Sequence, residues 1–343
     1  MDQRILGATG MSVSPLCLGA MMFGAMGNAD HDEGVRIIHR AIDAGINFID
    51  TADLYSYGES EEIVAKAIKG RRDDLIVATK FYLPMSENPN HRGGSRKWIV
   101  RAVEDSLRRL GTDYVDLYQI HRFDTTTDLE EILFSLTELV RQGKVRSFGS
   151  SMFPADRIVE AQWTAEKRAL LRFRCEQPWY SIFARDIERF VLPACQRYGM
   201  GVITWSPLDG GFLSGKYRGP QDFTDDSRIV KFAKRFRGSF DPQEQYIRRK
   251  LEIVEQLHPL AEEAGLTLAQ LAVAFTLEHP GVTSSIIGPR TMDQLESLLP
   301  AAEARLAEDI LDRIDALVPP GSTLNPAIDV PSATTKAALR RSR

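Results

Sequence analysis

Short apolar runs of strand character alternate with amphipathic helical segments along nearly the whole chain, and this alternation constrains the fold more than any other feature. The extended runs are Leu16–Gly19, Ile46–Asp50, Leu75–Lys80, Val115–Gln119, Val145–Ser150, Cys175–Gln177, Val202–Trp205 and Ser284–Ile287. Helical periodicity follows each: from Asp30 onward, then over 60–69, 95–110, 128–142, 154–168, 186–198, 267–278 and 291–299. Asp30 with Glu33 resembles a helix-start box, and Val35, Ile38, Ile42 and Gly45 share one face of the first helix. Over 95–110 the inward positions are Ile99, Val103, Leu107 and Leu110. Up to the seventh strand the starts lie roughly thirty residues apart, the length of one right-handed crossover unit, so parallel strands are expected. The expected fold class is α/β, a (β/α)8 TIM barrel with an N-terminal β-hairpin over Arg4–Ser14 and a C-terminal extra helix over 307–317 with a tail. A doubly wound sheet is the runner-up, but no strand is followed by the Gly-x-Gly-x-x-Gly of its dinucleotide-binding version.

The barrel is expected to occupy residues 1–318, and 319–343, opening with Pro319-Pro320-Gly321, to form an irregular extension. Between the seventh strand and its helix, the interval from Lys216 to about Tyr246 is too long for an ordinary βα loop. It is expected either to cover the barrel mouth or to be loose surface chain.

With 343 residues, 43% of them hydrophobic, the chain can bury a large core. A net charge of −4 gives no basic footprint for nucleic acid, and no run of about eighteen apolar residues exists to cross a membrane. The N-terminus lacks a secretory signal pattern, and Cys17, Cys175 and Cys195 are widely spaced in apolar segments, so a cytoplasmic protein with reduced core cysteines is expected. The histidines show no metal-ligand spacing. Gly210 and Gly215-Lys216 nearly spell a phosphate-binding P-loop, but Tyr217 stands where the magnesium-binding hydroxyl should be.

Barrel active sites lie at the C-terminal ends of the strands. Asp50 ends the second strand, Lys80 the third, and His121 lies just past the fourth, with Tyr55 on the loop after Asp50. Each alone has an ordinary structural explanation; four ionisable groups on neighbouring strand ends do not. A tyrosine with an unperturbed pKa of about 10 shares a proton poorly near neutrality, whereas an ammonium fixed by a carboxylate favours its phenolate. Asp50, Lys80 and Tyr55 are therefore expected to form a tuned proton donor, with His121 orienting a carbonyl or relaying the proton. Carbonyl reduction also needs a hydride, which no side chain supplies, so a nicotinamide is implied. The Gly58-Glu59-Ser60-Glu61 beyond is expected only to start the next helix.

The Asp50-Thr51-Ala52…Tyr55, Thr79-Lys80 and Gln119-Ile120-His121 elements resemble those of the aldo-keto reductase superfamily, over essentially residues 1–318. The branch most similar holds aryl-alcohol and hemiacetal reductases and the potassium-channel β-subunits. The resemblance implies Tyr55 as general acid/base, Asp50 and Lys80 as its tuning pair, and His121 as the carbonyl-orienting residue. It implies NADPH as cofactor. Ser151 and Gln177 would hold the carboxamide and Trp205 would stack on the nicotinamide. Ser206, Leu208, Gly210, Ser214, Gly215 and Lys216 would form the pyrophosphate side, and Gly288, Arg290 and Gln294 would receive the adenosine 2′-phosphate. Met21 joins this set on the first loop, where it and Ala20 replace Trp and Thr. Other departures are Met152, Ser297 and Leu298. Two functions follow: reduction of a small-molecule carbonyl substrate, or a nicotinamide-binding regulatory subunit with vestigial turnover. Phe23, Tyr82, Trp179 and Phe223 fit an aromatic substrate and core packing equally.

Overall fold

Eight parallel strands close into a barrel in the computed structural model, which describes residues 1–225, 227–237 and 240–325. A hairpin of β1 (Arg4–Ile5) and β2 (Ser12–Val13) precedes them. The barrel strands are β3 (Leu16–Gly19), β4 (Phe48–Asp50), β5 (Ile76–Phe81), β6 (Val115–Ile120), β7 (Val145–Ser151), β8 (Cys175–Gln177), β9 (Gly201–Thr204) and β10 (Ser284–Ile287). They pair in chain order, and β10 closes on β3 through Ser285–Leu16, Ile286–Cys17 and Ile287–Leu18.

Around the barrel lie α1 (His31–Asp43), α2 (Glu59–Ile68), α3 (Arg96–Leu110), α4 (Leu129–Arg141), α5 (Ala155–Lys167), α6 (Ile187–Arg197), α7 (Arg228–Arg237), α8 (Gln245–Glu263), α9 (Leu268–Glu278), α10 (Met292–Leu298) and α11 (Glu308–Leu317). Side-chain caps start α1, α3, α4, α9 and α10. Asp30 accepts from Glu33 N at 3.0 Å, Asp128 accepts from Glu130 N at 2.9 Å, and Thr267 with Gln270 forms a reciprocal box. The inward face of α1 differs from the expected one: Gly34, Ile37, Ile38 and Ala41 are buried, while Val35 and Ile42 are only half-buried.

Period-two alternation along the strands divides the core in two. Cys17, Phe48, Ala78, Leu117, Cys175, Ile203 and Ile286 fill the barrel interior, while alternate residues such as Tyr118, Ile120 and Phe148 pack outward against the helices. Leu6 and Val13 of the hairpin plug the lower end of the interior. The fit there is close: Gly7 has φ +52° and its missing Cβ would lie 2.3 Å from Gly201 N. Any other residue would clash with the backbone and unseat the plug. With that end sealed, ligand access is left to the C-terminal rim.

The long interval after β9 is not one irregular loop. It contains a short 3-10 turn over Asp209–Ser214, then α7, then the nineteen-residue α8, a helix the sequence reading did not anticipate. Ile247, Leu251, Val254, Leu257 and Ala261 bury one face of α8. Two features hide that face in the sequence: the basic run Arg248-Arg249-Lys250, and Pro259, which removes one helical hydrogen bond. Of the expected irregular extension over 319–343, the described part, 319–325, packs back on the barrel, with Thr323 bridging Ala184 and Leu324 N donating to the Phe183 carbonyl at 2.8 Å, and 326–343 lies outside the described residues. No helix among the described residues is long and apolar enough to cross a membrane. All three cysteines are free and buried.

Candidate active site

The loop after β4 carries Tyr55 in a short 3-10 turn over Tyr55–Gly58. Ser56 and Tyr57 both have left-handed φ, 49° and 54°, a strain of about 1–3 kcal/mol each. Contacts on both sides hold the loop against it. Met26 N donates to Ser56 Oγ at 3.0 Å, and Ser60 Oγ donates to the Ala20 carbonyl at 2.8 Å. Buried Glu61 accepts from Thr79 Oγ1 at 2.5 Å and from Arg109 Nε at 2.6 Å. Ser60 and Glu61 thus anchor the loop rather than merely starting α2.

The four rim residues converge. Lys80, fully buried on β5, donates from Nζ to Asp50 Oδ1 at 2.5 Å, to the Thr51 carbonyl at 2.9 Å and to Tyr55 Oη at 3.3 Å. The second carboxylate oxygen of Asp50 accepts from Gln177 Nε2 at 2.8 Å and Gln119 Nε2 at 3.3 Å. Both carboxylate oxygens of Asp50 are therefore engaged by donors. The Tyr55 and His121 rings meet edge to face, centroids 5.8 Å apart.

Burial alone would lower the Lys80 pKa, but Asp50 and Tyr55 outweigh it and the ammonium is held above its ordinary value. For Tyr55 the balance goes against expectation. Burial raises its pKa, and the opposing pull of Lys80 does not overcome it, so the hydroxyl stays above 10 and protonated. The ammonium is visible in the charge pattern of the sequence, whereas the desolvation that outweighs it arises only from burial in the fold. The result is a phenol donor whose conjugate base, once formed, has a cation at hand. Burial, reinforced by Arg122 and Lys80, pushes His121 well below 6.5. It is a neutral imidazole near neutrality, and its buried Nδ1 has no hydrogen-bond partner among the described residues.

The residues expected to meet a cofactor lie on the same rim. Met21, half-buried, follows β3. Ser151 Oγ donates to the Gln177 carbonyl at 2.8 Å, and the Gln177 amide nitrogen is committed to Asp50, which leaves its Oε1 as an acceptor. The Trp205 ring stacks on Trp179 with centroids 5.3 Å apart. Beyond it, Ser206, Asp209, Gly210, Gly211 and Gly215 have left-handed φ of 60°, 47°, 70°, 109° and 80°, curling the backbone after Trp205 into a concave turn of the kind that receives anions. Ser214 Oγ closes the turn on the Gly211 carbonyl at 2.6 Å. The Lys216 ammonium folds back beside Gly211, over the Tyr217 ring. After β10, the Gln294 side chain accepts from Arg290 N at 2.8 Å, fixing the segment from Gly288 to the start of α10. A concave turn, a lysine and a half-buried arginine in sequence along one rim suit a chain of phosphates. Of the four aromatics, Phe23 is core, Phe223 packs on Phe212, Tyr217 and Phe240, Trp179 backs Trp205, and Tyr82 is half-buried.

Three participants escaped the sequence reading. Gln119 was noted only as part of a motif, though it helps saturate Asp50. Glu176 is buried between Ser150 Oγ, at 2.5 Å, and Phe153 N, at 3.1 Å. Arg228 of α7 lies within electrostatic reach of both Arg290 and Tyr55, so α7 sits over the rim between them. A lone arginine in a basic insertion carries no sequence mark of that position. Among the described residues no group of His, Cys, Asp or Glu is arranged to hold a metal ion.

The chain is similar to known proteins over nearly its whole length. The model of the "Aldo/keto reductase family" matches residues 15–319. The "Uncharacterized oxidoreductase YrpG" of Bacillus subtilis (strain 168) is 39% identical over 330 residues, covering 93% of this chain and 96% of its own. The "Probable voltage-gated potassium channel subunit beta" of Oryza sativa subsp. japonica is 35% identical over 325 residues, covering 93% and 97%. Likeness of this extent leaves no segment of the barrel outside the match, and the chain belongs to the aldo/keto reductase family of oxidoreductases.

Proposed function

We propose that the chain is an NADPH-dependent reductase that converts aldehydes or ketones to alcohols in the cytoplasm. The observation that carries this reading is the buried relay from Asp50 through Lys80 to the Tyr55 hydroxyl, with neutral His121 at its edge. In it, Tyr55 gives its proton to the carbonyl oxygen as that oxygen gains charge. Lys80, held in place by Asp50, stabilises the phenolate left behind. His121 donates a hydrogen bond that orients the carbonyl, as a neutral imidazole can. Bound nicotinamide supplies the hydride.

Ser151 and Gln177 are suited to hold the carboxamide, and Trp205 to stack on the ring. Ser206, Leu208, Gly210, Ser214, Gly215 and Lys216 line the pyrophosphate side, where Arg228 adds a charge. Gly288, Arg290 and Gln294 receive the adenosine end, and Arg290 supplies the charge that favours NADPH over NADH. Met21 borders the nicotinamide side. The test is loss of NADPH absorbance with 4-nitrobenzaldehyde, with Tyr55→Phe slowing turnover by about 10²–10⁴-fold. An undiminished Tyr55→Phe rate removes Tyr55 from the role.

The likeness to a potassium-channel β-subunit supports a second reading, a nicotinamide-binding regulatory subunit with vestigial turnover. Tight cofactor binding, negligible reduction of a broad carbonyl panel and a stable protein partner would favour it.

A further inference from the structure

One charged group at the barrel mouth lies outside the hydrogen-bonded relay from Asp50 through Lys80 to Tyr55, although it helps hold His121 neutral. Arg122 follows His121 past the end of β6, half-buried, and among the described residues its guanidinium makes one hydrogen bond, from Nη1 to the His121 carbonyl at 2.6 Å. A guanidinium has five N–H donors, so most of this one's capacity is unused. Among the described residues no carboxylate lies within ion-pairing distance of it. The acidic groups within its electrostatic reach are Tyr55, Glu176 and Tyr82, which put it beside the hydroxyl assigned to proton transfer. Tyr82, just past β5, is held at φ 117°, a backbone setting rare for a residue with a side chain, by the Gly93 N–H on its carbonyl at 2.8 Å.

Glu176 is not the missing counter-charge. Its two oxygens are already engaged by Ser150 Oγ and Phe153 N, and burial lifts its pKa to about 7, so it is partly protonated near neutrality. Arg122 has thus lost hydration without gaining an anion, and burial pulls its own pKa down accordingly. An under-partnered guanidinium at a ligand-binding rim is suited to pair with an anion carried by a ligand.

We propose that Arg122 anchors a carboxylate on the substrate, so that the preferred substrates are aldehydes or ketones that also bear a carboxylate. This rests on the reductase reading and names the substrate class it left open. The planar guanidinium fork matches a carboxylate in two parallel hydrogen bonds, which fixes direction as well as affinity. The chemistry is unchanged: the carbonyl carbon accepts the hydride and its two electrons from NADPH, the oxygen takes the Tyr55 proton, and the carboxylate stays ionised throughout.

The experiment compares acids with their methyl esters at saturating NADPH: 4-carboxybenzaldehyde with methyl 4-formylbenzoate, and 4-oxobutanoate with its ester. The expected kcat/KM is at least about tenfold higher for the acid, mostly through KM, as for a hydrogen bond to a charged group. Arg122→Met should bring the acid-to-ester ratio to about one, and Arg122→Lys should keep part of it. Benzoate should compete with 4-nitrobenzaldehyde in the unaltered protein, and benzamide should not. Equal treatment of acid and ester, or an Arg122→Met variant that loses kcat equally on both, overturns the proposal. If no carbonyl is reduced, the reductase reading fails instead. Benzoate binding to the NADPH complex, followed by tryptophan fluorescence, then still decides: saturable binding in the unaltered protein supports the anion site, and its absence overturns it.

Discussion

Lys250 of α8 donates from Nζ to Asp209 Oδ2 at 2.5 Å, with both side chains almost fully buried. Asn325 completes the arrangement, accepting from Lys250 at 2.5 Å and donating to Asp209 Oδ1 at 2.9 Å. This contact ties the insertion and the end of the described chain to the concave turn proposed for the pyrophosphate. It also neutralises Asp209, whose bare charge would repel phosphate.

Removing one partner strands the other as a buried charge. Lys250→Met should lower unfolding free energy by about 3–5 kcal/mol and weaken NADPH binding. Lys250→Met combined with Asp209→Asn should recover much of the loss, because no charge is then left unpaired. Urea unfolding and NADPH fluorescence titration measure both effects; a double variant no better than the single one would contradict the pairing argument.

At the relay, Lys80→Met removes the cation that steadies the Tyr55 phenolate and leaves Asp50 buried with only amide donors. Turnover should fall by about 10²–10⁴-fold with a smaller change in KM. Because His121 is pushed well below its ordinary 6.5, kcat should show no inflection from it between about pH 6 and 8. A clear break near 6.5 that His121→Gln abolishes would mean the imidazole is charged in the working enzyme.

For the adenosine end, Arg290→Leu should weaken NADPH binding by about ten- to a hundredfold, the value of a hydrogen bond to a charged group, while NADH binding stays level. Equal weakening of both cofactors would show that Arg290 serves the segment's fold rather than the 2′-phosphate.

The barrel was legible because its strands are apolar runs that stop at polar residues, and Asp50, Lys80 and His121 could be placed by counting strand ends. What escaped depends on neighbours distant in sequence. The buried face of α1 includes Gly34 and Ala41, which carry little periodic signal. The sign of the Tyr55 shift depends on how much water the closed rim excludes, which the charge pattern does not report. Arg228 gains its place only because α7 folds back over the mouth, and α8 was masked by Pro259 and by Lys250, a lysine that points inward to Asp209.

Glu176 is the sharpest case of a position opaque in sequence, since Cys175 and Gln177 on either side face the barrel interior while it faces the helices. Burial is the main cause that lifts its pKa from 4.5 to about 7, against the hydrogen bonds from Ser150 and Phe153 that lower it. Folded protein therefore keeps this proton up to about pH 7, whereas unfolded chain releases it near 4.5. Its contribution to stability is full below the unfolded value and is lost as pH rises through the folded one. The loss is on the order of 3 kcal/mol above neutrality. Glu176→Gln keeps a neutral side chain at every pH, so its stability relative to the unaltered protein should rise between about pH 5 and 8. Unfolding free energies from urea titrations across that range test the sign directly: a difference that stays constant with pH would mean Glu176 does not hold its proton to neutrality, and one that falls would mean burial is not the dominant influence on it.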